Sequence, residues 1–344
     1  MDILEQTKNL CKLYNIIPAR SKGQNFLIKE NIYDKIIEVA ELTKDDVVLE
    51  VGPGLGFLTA KLAVGANGRS PVQKVTAVEL DKKLVEILKT RLADEKIENI
   101  EIVNQDILKF SRFARSGEAR QIRNPINELR DTSYELGDYK VVANLPYNIT
   151  SIFLRKFLSA EVKPRLMVLM LQKEVAERIT AKPPKMSLLA VSVQFYARPE
   201  IVEIVPRNNF WPEPEVDSAI VKITPLASRL RRCYGGQVGH LPLVRGGIYR
   251  HNSPPCQGGV PERRGGIKMS ADVDKEKDFF RLVKIGFSAK RKMLKNNLAA
   301  GLRISQSEAE NKLIMAGFNE KIRAQELSIE DWLKLFGEFR SNMV

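Results

Sequence analysis

Four residues placed directly after an apolar strand carry the most chemical information in this chain: Asn144, Leu145, Pro146 and Tyr147. The Asn144 amide offers an acceptor oxygen, the Leu145 carbonyl is fixed by the proline that follows it, and Tyr147 presents an aromatic face. Together they suit holding a planar, amino-bearing ring and accepting hydrogen bonds from its NH2 group. That is the chemistry of an amine attacking a methyl donor. Asn and Pro also favour turns on their own account, so on these four residues alone an ordinary turn stays open.

A second cluster, Glu50-Val-Gly52-Pro-Gly54-Leu-Gly56, follows an apolar run and opens a helical pattern. Glycines let the backbone approach a ligand closely, and a helix N-terminus offers unpaired N–H groups. The spacing is Gly-x-Gly-x-Gly, not the Gly-x-Gly-x-x-Gly of dinucleotide sites, which argues against a nicotinamide dehydrogenase. An acid at Glu50 would repel pyrophosphate and suit a cation, and S-adenosylmethionine carries both a sulfonium and an ammonium. Glu79 ends the next strand, at the distance expected of the acid that accepts from ribose hydroxyls. Asp106, after the third strand, is placed to accept from an adenine amino group. Taken singly, each acid fits a helix cap equally well. As acids at three successive strand ends they mark the edge where open α/β sheets bind ligands.

The elements that must position these residues are legible in the periodicity. Residues 2–15 and 30–42 have helical spacing. Val47–Val51, Val75–Glu79, Ile100–Val103, Val141–Asn144 and Leu166–Leu171 are short apolar runs, alternating with helical patterns over 55–64, 82–93 and 151–159. Such alternation implies βαβ units, hence an α/β fold with a mostly parallel, Rossmann-like sheet and helices on both faces. Ile201–Val205 and Ala219–Ile223 read as a closing antiparallel pair, and 279–302 and roughly 306–340 as helices. The expected division is a donor-binding domain over 1–227, a basic Gly/Arg-rich insertion over 228–273, and a helical RNA-binding domain over 274–344. Residues 228–270 hold nine of the 21 glycines, eight basic residues and one acid, a composition that cannot bury a core and reads as mobile.

The net charge of +13 over 344 residues favours a polyanionic partner. A membrane is the weaker option, since no apolar run reaches the roughly 18 residues a spanning helix needs. Three cysteines make no disulfide framework, and a reducing cytoplasm is the expected compartment. Cys233, His240, His251 and Cys256 lack zinc-motif spacing, so no metal is expected. Arg281, Lys284, Lys290, Arg291, Lys292, Lys295 and Arg303 lie in a stretch, 279–303, without an acid. They read as a phosphate-contacting surface, the alternative being a solvated helix face.

The series Gln24-Asn-Phe-Leu27, Glu50-Val-Gly-Pro-Gly54, Glu79-Leu-Asp81, Gln105-Asp106, Asn144-Leu-Pro-Tyr147, Gln172–Arg178 and Phe210-Trp-Pro-Glu-Pro-Glu-Val-Asp-Ser218 resembles the ribosomal RNA adenine dimethyltransferases, in particular the branch acting on small-subunit RNA. The resemblance spans about 20–225 and 274–340. It implies a class I methyltransferase sheet and S-adenosylmethionine-dependent dimethylation of adjacent adenosines in a hairpin of 16S RNA, linked to small-subunit biogenesis. It further implies donor contacts from Asn25, Leu27, Gly52, Gly54, Glu79, Asp106 and Asn144, with Tyr147 and Phe210 flanking the target base. The expected partner is small-subunit RNA or the pre-30S particle, met by a monomer in the cytoplasm. A large-subunit methyltransferase of the resistance type, and an assembly factor acting mainly by binding, are the alternatives. Arg207 stands where the family has proline, and Glu215 where a basic residue is common. Stretches at 65–73, 112–137 and 228–270 are insertions relative to the family.

Overall fold

The computed structural model describes residues 2–18, 24–64, 71–110, 139–160, 162–226 and 268–343. The expectations for 112–137, for 228–267 including its Cys and His residues, and for most of 65–73 fall outside the described residues.

Nine strands are described: β1 (Phe26–Leu27), β2 (Val47–Val51), β3 (Lys74–Glu79), β4 (Ile100–Asn104), β5 (Tyr139–Asn144), β6 (Leu166–Gln172), β7 (Ala197–Val205), β8 (Phe210–Trp211) and β9 (Ser218–Pro225). The helices are α1 (Ile3–Leu13), α2 (Glu30–Ala40), α3 (Phe57–Val64), α4 (Lys82–Asp94), α5 (Thr150–Ser159), α6 (Lys173–Ile179), α7 (Leu188–Tyr196), α8 (Lys268–Gly286), α9 (Leu294–Leu302), α10 (Gln306–Met315) and α11 (Ile329–Phe339). Seven strands form one sheet in the order β4-β3-β2-β5-β6-β9-β7. The first five are parallel and the β9 pairings are antiparallel. The chain fills one side of β2, then crosses to start the other with β5. That reversal leaves a crevice beyond the strand ends between β2 and β5.

The continuous apolar runs follow from burial on both faces. In β5, Val141 and Ala143 enter one core layer and Val142 the other; β6 sends Met167, Leu169 and Leu171 one way and Leu166, Val168 and Met170 the other. With helices on both faces, neither parity needs a polar residue. Lys140 departs from this pattern. It is 5% exposed, and its ammonium donates to the carbonyls of Ala40 (3.0 Å) and Glu41 (2.6 Å) and pairs with Asp46 (2.9 Å). All three of its donors are satisfied at the strand end opposite the crevice.

Two expectations are corrected by the architecture. The stretch 279–302 is not one helix: α8 begins at Lys268, inside the expected insertion, and ends at Gly286, and α9 starts at Leu294. Asn297 holds the break between them, donating to the carbonyls of Gly286 (2.7 Å) and Ala289 (3.1 Å). The segment 306–340 likewise divides into α10, a short 3-10 turn at Ala324–Glu326, and α11. The helices α6 and α7 and the short β1–β8 pair lie in stretches that had no assigned period. The C-terminal helices share a core centred on Phe279, Leu298, Trp332 and Phe339, which also takes in Met186, Ala190 and Val191. Among the described residues, no helix is long and apolar enough to cross a membrane.

Candidate active site

A crevice of about 550 Å3 opens at the carboxyl ends of the parallel strands. Its walls come from the ends of β2, β3, β4 and β5 and from the segment around β1. Gly52 and Gly54 form its floor with φ of +68° and +59°. A side chain at either would be strained, and a Cβ on Gly54 would sit 3.3 Å from the Phe26 ring. The bare backbone therefore comes within reach of a ligand here.

Glu79, at the end of β3, is 8% exposed and bridges the loop to its own strand: Oε2 accepts from Gly54 N–H (3.2 Å) and Oε1 from Asp81 N–H (2.9 Å). Burial pushes its carboxyl above the ordinary range, and these backbone donors hold it down. Asp106 lines the crevice beyond β4, with Oδ1 accepting from Leu108 N–H at 2.8 Å. Glu50, expected from sequence as an anionic counter-charge, lines the same crevice from the end of β2. It is 1% exposed and its Oε2 has no hydrogen-bond partner among the described residues. Burial pushes its carboxyl up to about 8, against the pull of the Thr59 hydroxyl and with help from the Glu79 charge.

On the opposite wall stand Asn25, Leu27, Asn144 and Pro146. Asn144 donates an Nδ2 hydrogen to the Asn25 carbonyl at 3.4 Å, a bond that favours one orientation of the amide and leaves its Oδ1 available as an acceptor. β1 holds Asn25 there by pairing with β8, Leu27 opposite Phe210, while the Tyr33 hydroxyl donates to the Leu27 carbonyl at 2.8 Å. Arg207 ties the β8 loop despite the missing proline. Its N–H donates to Asp217 (3.1 Å) and its guanidinium pairs with Glu213 (2.9 Å). The Glu215 carbonyl accepts from the same guanidinium at 3.4 Å.

Two expected contacts, Tyr147 and Phe210, lie outside this wall, while Leu145, of which only the carbonyl was expected to meet the target amine, has its side chain buried in the core. Tyr147 is half-buried and does not line the crevice; its hydroxyl hydrogen-bonds Ser218 Oγ at 2.9 Å. Phe210 is 3% exposed and packs in the core layer with Leu27. Conversely, Leu80, 69% exposed, and Ile107, Asn148 and Ile149 line the crevice although no contact was expected of them. Leu80 and Ile107 each adjoin a predicted acid, and that adjacency was the signal available: an apolar residue beside a ribose or purine acceptor can cover a base.

The basic run divides. Arg281, Lys284, Lys290, Arg291, Lys292 and Arg303 are exposed, and 290–292 sit in the turn between α8 and α9. Lys295 is instead a structural cation, pairing with Glu310 (2.7 Å) and Glu320 (3.8 Å). Arg281 donates to the Met343 carbonyl at 3.2 Å.

The donor set fits S-adenosylmethionine. Side-chain-free glycine backbone, a carboxylate at the ribose distance, a second acid and apolar walls answer its amino-acid, sugar and base parts in chain order.

Residues 19–233 match the family described as "Ribosomal RNA adenine dimethylase". The ribosomal RNA small subunit methyltransferase A of Dehalococcoides mccartyi (strain CBDB1) is 37% identical over 340 residues, covering 99% of this chain and 94% of its own length. That of Clostridioides difficile (strain 630) is 35% identical over 328 residues, covering 95% and 92%. Among solved structures, a dimethyladenosine transferase from Plasmodium falciparum superposes with a TM-score of 0.61 at 25% identity, over 92% of this chain and 98% of that one. The 23S rRNA methyltransferase ErmE does so with a TM-score of 0.59 at 25% identity, over 92% and 100%.

Proposed function

The chain belongs to the ribosomal RNA adenine dimethylase family, and from that premise we infer that it dimethylates the N6 amines of adjacent adenosines in a hairpin of 16S RNA. The near-full-length likeness to proteins named for the small subunit favours that target over the large-subunit alternative. The observation that carries the chemistry is the orientation of Asn144: its Nδ2 is occupied by the Asn25 carbonyl, so Oδ1 meets an incoming amine.

S-adenosylmethionine, when bound, supplies an electrophilic methyl carbon. Gly52 and Gly54 admit it, Glu79 accepts from its ribose, Asp106 from its purine amine, and Asn25 and Leu27 border it. An adenine amine is a poor nucleophile because its lone pair is delocalised into the ring. Accepting both its hydrogens on Asn144 Oδ1 and the Leu145 carbonyl favours the tetrahedral form, and Pro146 fixes that carbonyl. Positioning alone can contribute roughly 7–11 kcal/mol. The methylated nitrogen then loses its proton to solvent, so no strong base is required. Extracting the base from a stack costs a few kcal/mol, and stacking on Tyr147 and Phe210, at roughly 1–3 kcal/mol per base, offsets this. Because Phe210 is buried, that role requires the β8 loop to shift when RNA binds.

Lys284, Lys290, Arg291 and Lys292 supply phosphate contacts, and the protein acts as a monomer on small-subunit RNA or the pre-30S particle in the cytoplasm. The test is incubation with undermethylated small subunits and labelled methyl donor, then nucleoside analysis. Label recovered as dimethyladenosine in 16S RNA is expected; label in large-subunit RNA, or none, refutes the reading. If Asn144→Ala abolished methylation while subunit maturation in cells stayed normal, binding would be the main role.

A further inference from the structure

The turn that carries Asp106 is gripped by a lysine that no sequence pattern singled out. Residues 106–110 form one helical turn, in which the N–H groups of Lys109 (2.9 Å) and Phe110 (3.0 Å) donate to the Asp106 carbonyl. The far end of such a turn presents carbonyls that its own N–H groups leave wholly or partly open. Lys156, half-buried on α5, donates from Nζ to three carbonyls of the turn: Leu108 (2.7 Å), Phe110 (2.6 Å) and Ile107 (3.1 Å), the last also accepting from Phe110 N–H (3.2 Å). An ammonium has three hydrogens, and each finds a charge-assisted acceptor here. Burial lowers the proton affinity of this amine and the Asp106 charge raises it, so the two ends of the turn are electrostatically linked.

α5 begins directly after the Asn144 loop. Thr150 Oγ1 donates to the Pro146 carbonyl (3.4 Å) and Phe153 N–H to the Ile149 carbonyl (2.8 Å). Phe153 and Phe157 flank Lys156 on the helix and pack in the same core as Ile107 and Phe110. Lys156 thus joins two segments that wall the crevice, Asp106–Ile107 and Pro146–Ile149.

We propose that Lys156 is a positioning residue for donor recognition: by clamping the 106–110 turn against α5 it sets the Asp106 carboxylate where it distinguishes an adenine from a hypoxanthine ring. The proposal rests on Asp106 being the acceptor for the donor's purine amine. An adenine amino group donates to that carboxylate, whereas the oxo group of hypoxanthine would be repelled by it. A lysine that only stabilised the fold would weaken both ligands alike.

The experiment is titration calorimetry of the full chain with S-adenosylhomocysteine and S-inosylhomocysteine. The wild type should prefer the adenosyl ligand by at least about tenfold, the scale of one hydrogen bond to a charged group. Lys156→Met should bind the adenosyl ligand about tenfold more weakly and lose most of that preference. Lys156→Gln, which keeps two donor hydrogens, should fall between, and it carries the comparison by itself if the Met variant does not fold. An unchanged preference in whichever variants fold overturns the proposal. A wild type that binds both ligands equally refutes the Asp106 reading and this proposal with it. A wild type that binds neither refutes the donor assignment as a whole.

Discussion

Replacing Asn144 with alanine isolates the step on which the chemistry depends. The substitution removes Oδ1, the acceptor proposed for the target amine, and leaves the Asn25 carbonyl without the Nδ2 hydrogen it receives at 3.4 Å. That bond is long, and Asn144 is only half-buried, so the structural loss is small, about 0.5–1.5 kcal/mol for a hydrogen bond of neutral partners. The catalytic loss should be larger, because Oδ1 meets positive charge that develops on nitrogen only as the methyl transfers. A preorganised group facing developing charge is worth about 2.7–4 kcal/mol, a 10²–10³-fold fall in kcat. Asn144 also borders the donor, so donor affinity should weaken, but by about tenfold or less. Single-turnover methylation of undermethylated subunits at saturating donor gives the first quantity, and titration with S-adenosylhomocysteine the second. The reasoning fails if kcat falls less than tenfold, or if the whole loss of activity is recovered by raising donor concentration. Asn144→Asp sharpens the test: it keeps an acceptor but sets a carboxylate oxygen against the Asn25 carbonyl, so it should stay well below wild type.

Further outcomes follow from groups elsewhere in the fold. Glu50 is held protonated by burial, with its carboxyl raised from 4.5 to about 8, so between those values the unfolded chain has released a proton that the folded chain retains. Stability from this group is full below pH 4.5 and lost as pH rises towards 8, on the order of 3 kcal/mol by pH 7 at 1.36 kcal/mol per unit. Glu50→Gln should therefore be stabilising at pH 8 and near neutral at pH 5 in urea denaturation; an equal effect at both pH values counts against a protonated Glu50. Lys140→Met strands the buried Asp46 carboxylate and should cost about 3–5 kcal/mol in the same assay. Because this pair lies at the far strand end, donor affinity should be unchanged, and a comparable loss of donor binding would contradict that separation. Reversing charge at Lys290, Arg291 and Lys292 should weaken RNA binding and lower its salt slope by about two to three, given roughly 0.7–0.9 per phosphate contact. An unchanged slope removes the α8–α9 turn from the RNA surface.

The sequence by itself determined the layers and the edge at which the site lies. Runs such as Val47–Leu49 and Leu166–Leu171 are apolar at both parities, which only a strand covered on both faces can satisfy. Given such strands, Gly52, Gly54, Glu79, Asp106 and Asn144 fall at their carboxyl ends by position alone, and the fold brings them to one crevice. What each group does there depended on segments far away in the chain. Lys140 reads as an exposed residue of an apolar strand until Ala40, Glu41 and Asp46 close around it. Lys295 reads as a free cation until Glu310 and Glu320 claim it. Glu50 reads as an ordinary carboxylate until the fold buries it and pushes its carboxyl up. Periodicity records which face of an element is covered, because that constraint repeats every two or three to four residues. It carries no record of which distant carbonyl or carboxylate arrives at a given side chain, so charge state, amide orientation and the grip of Lys156 were decided only by the tertiary structure.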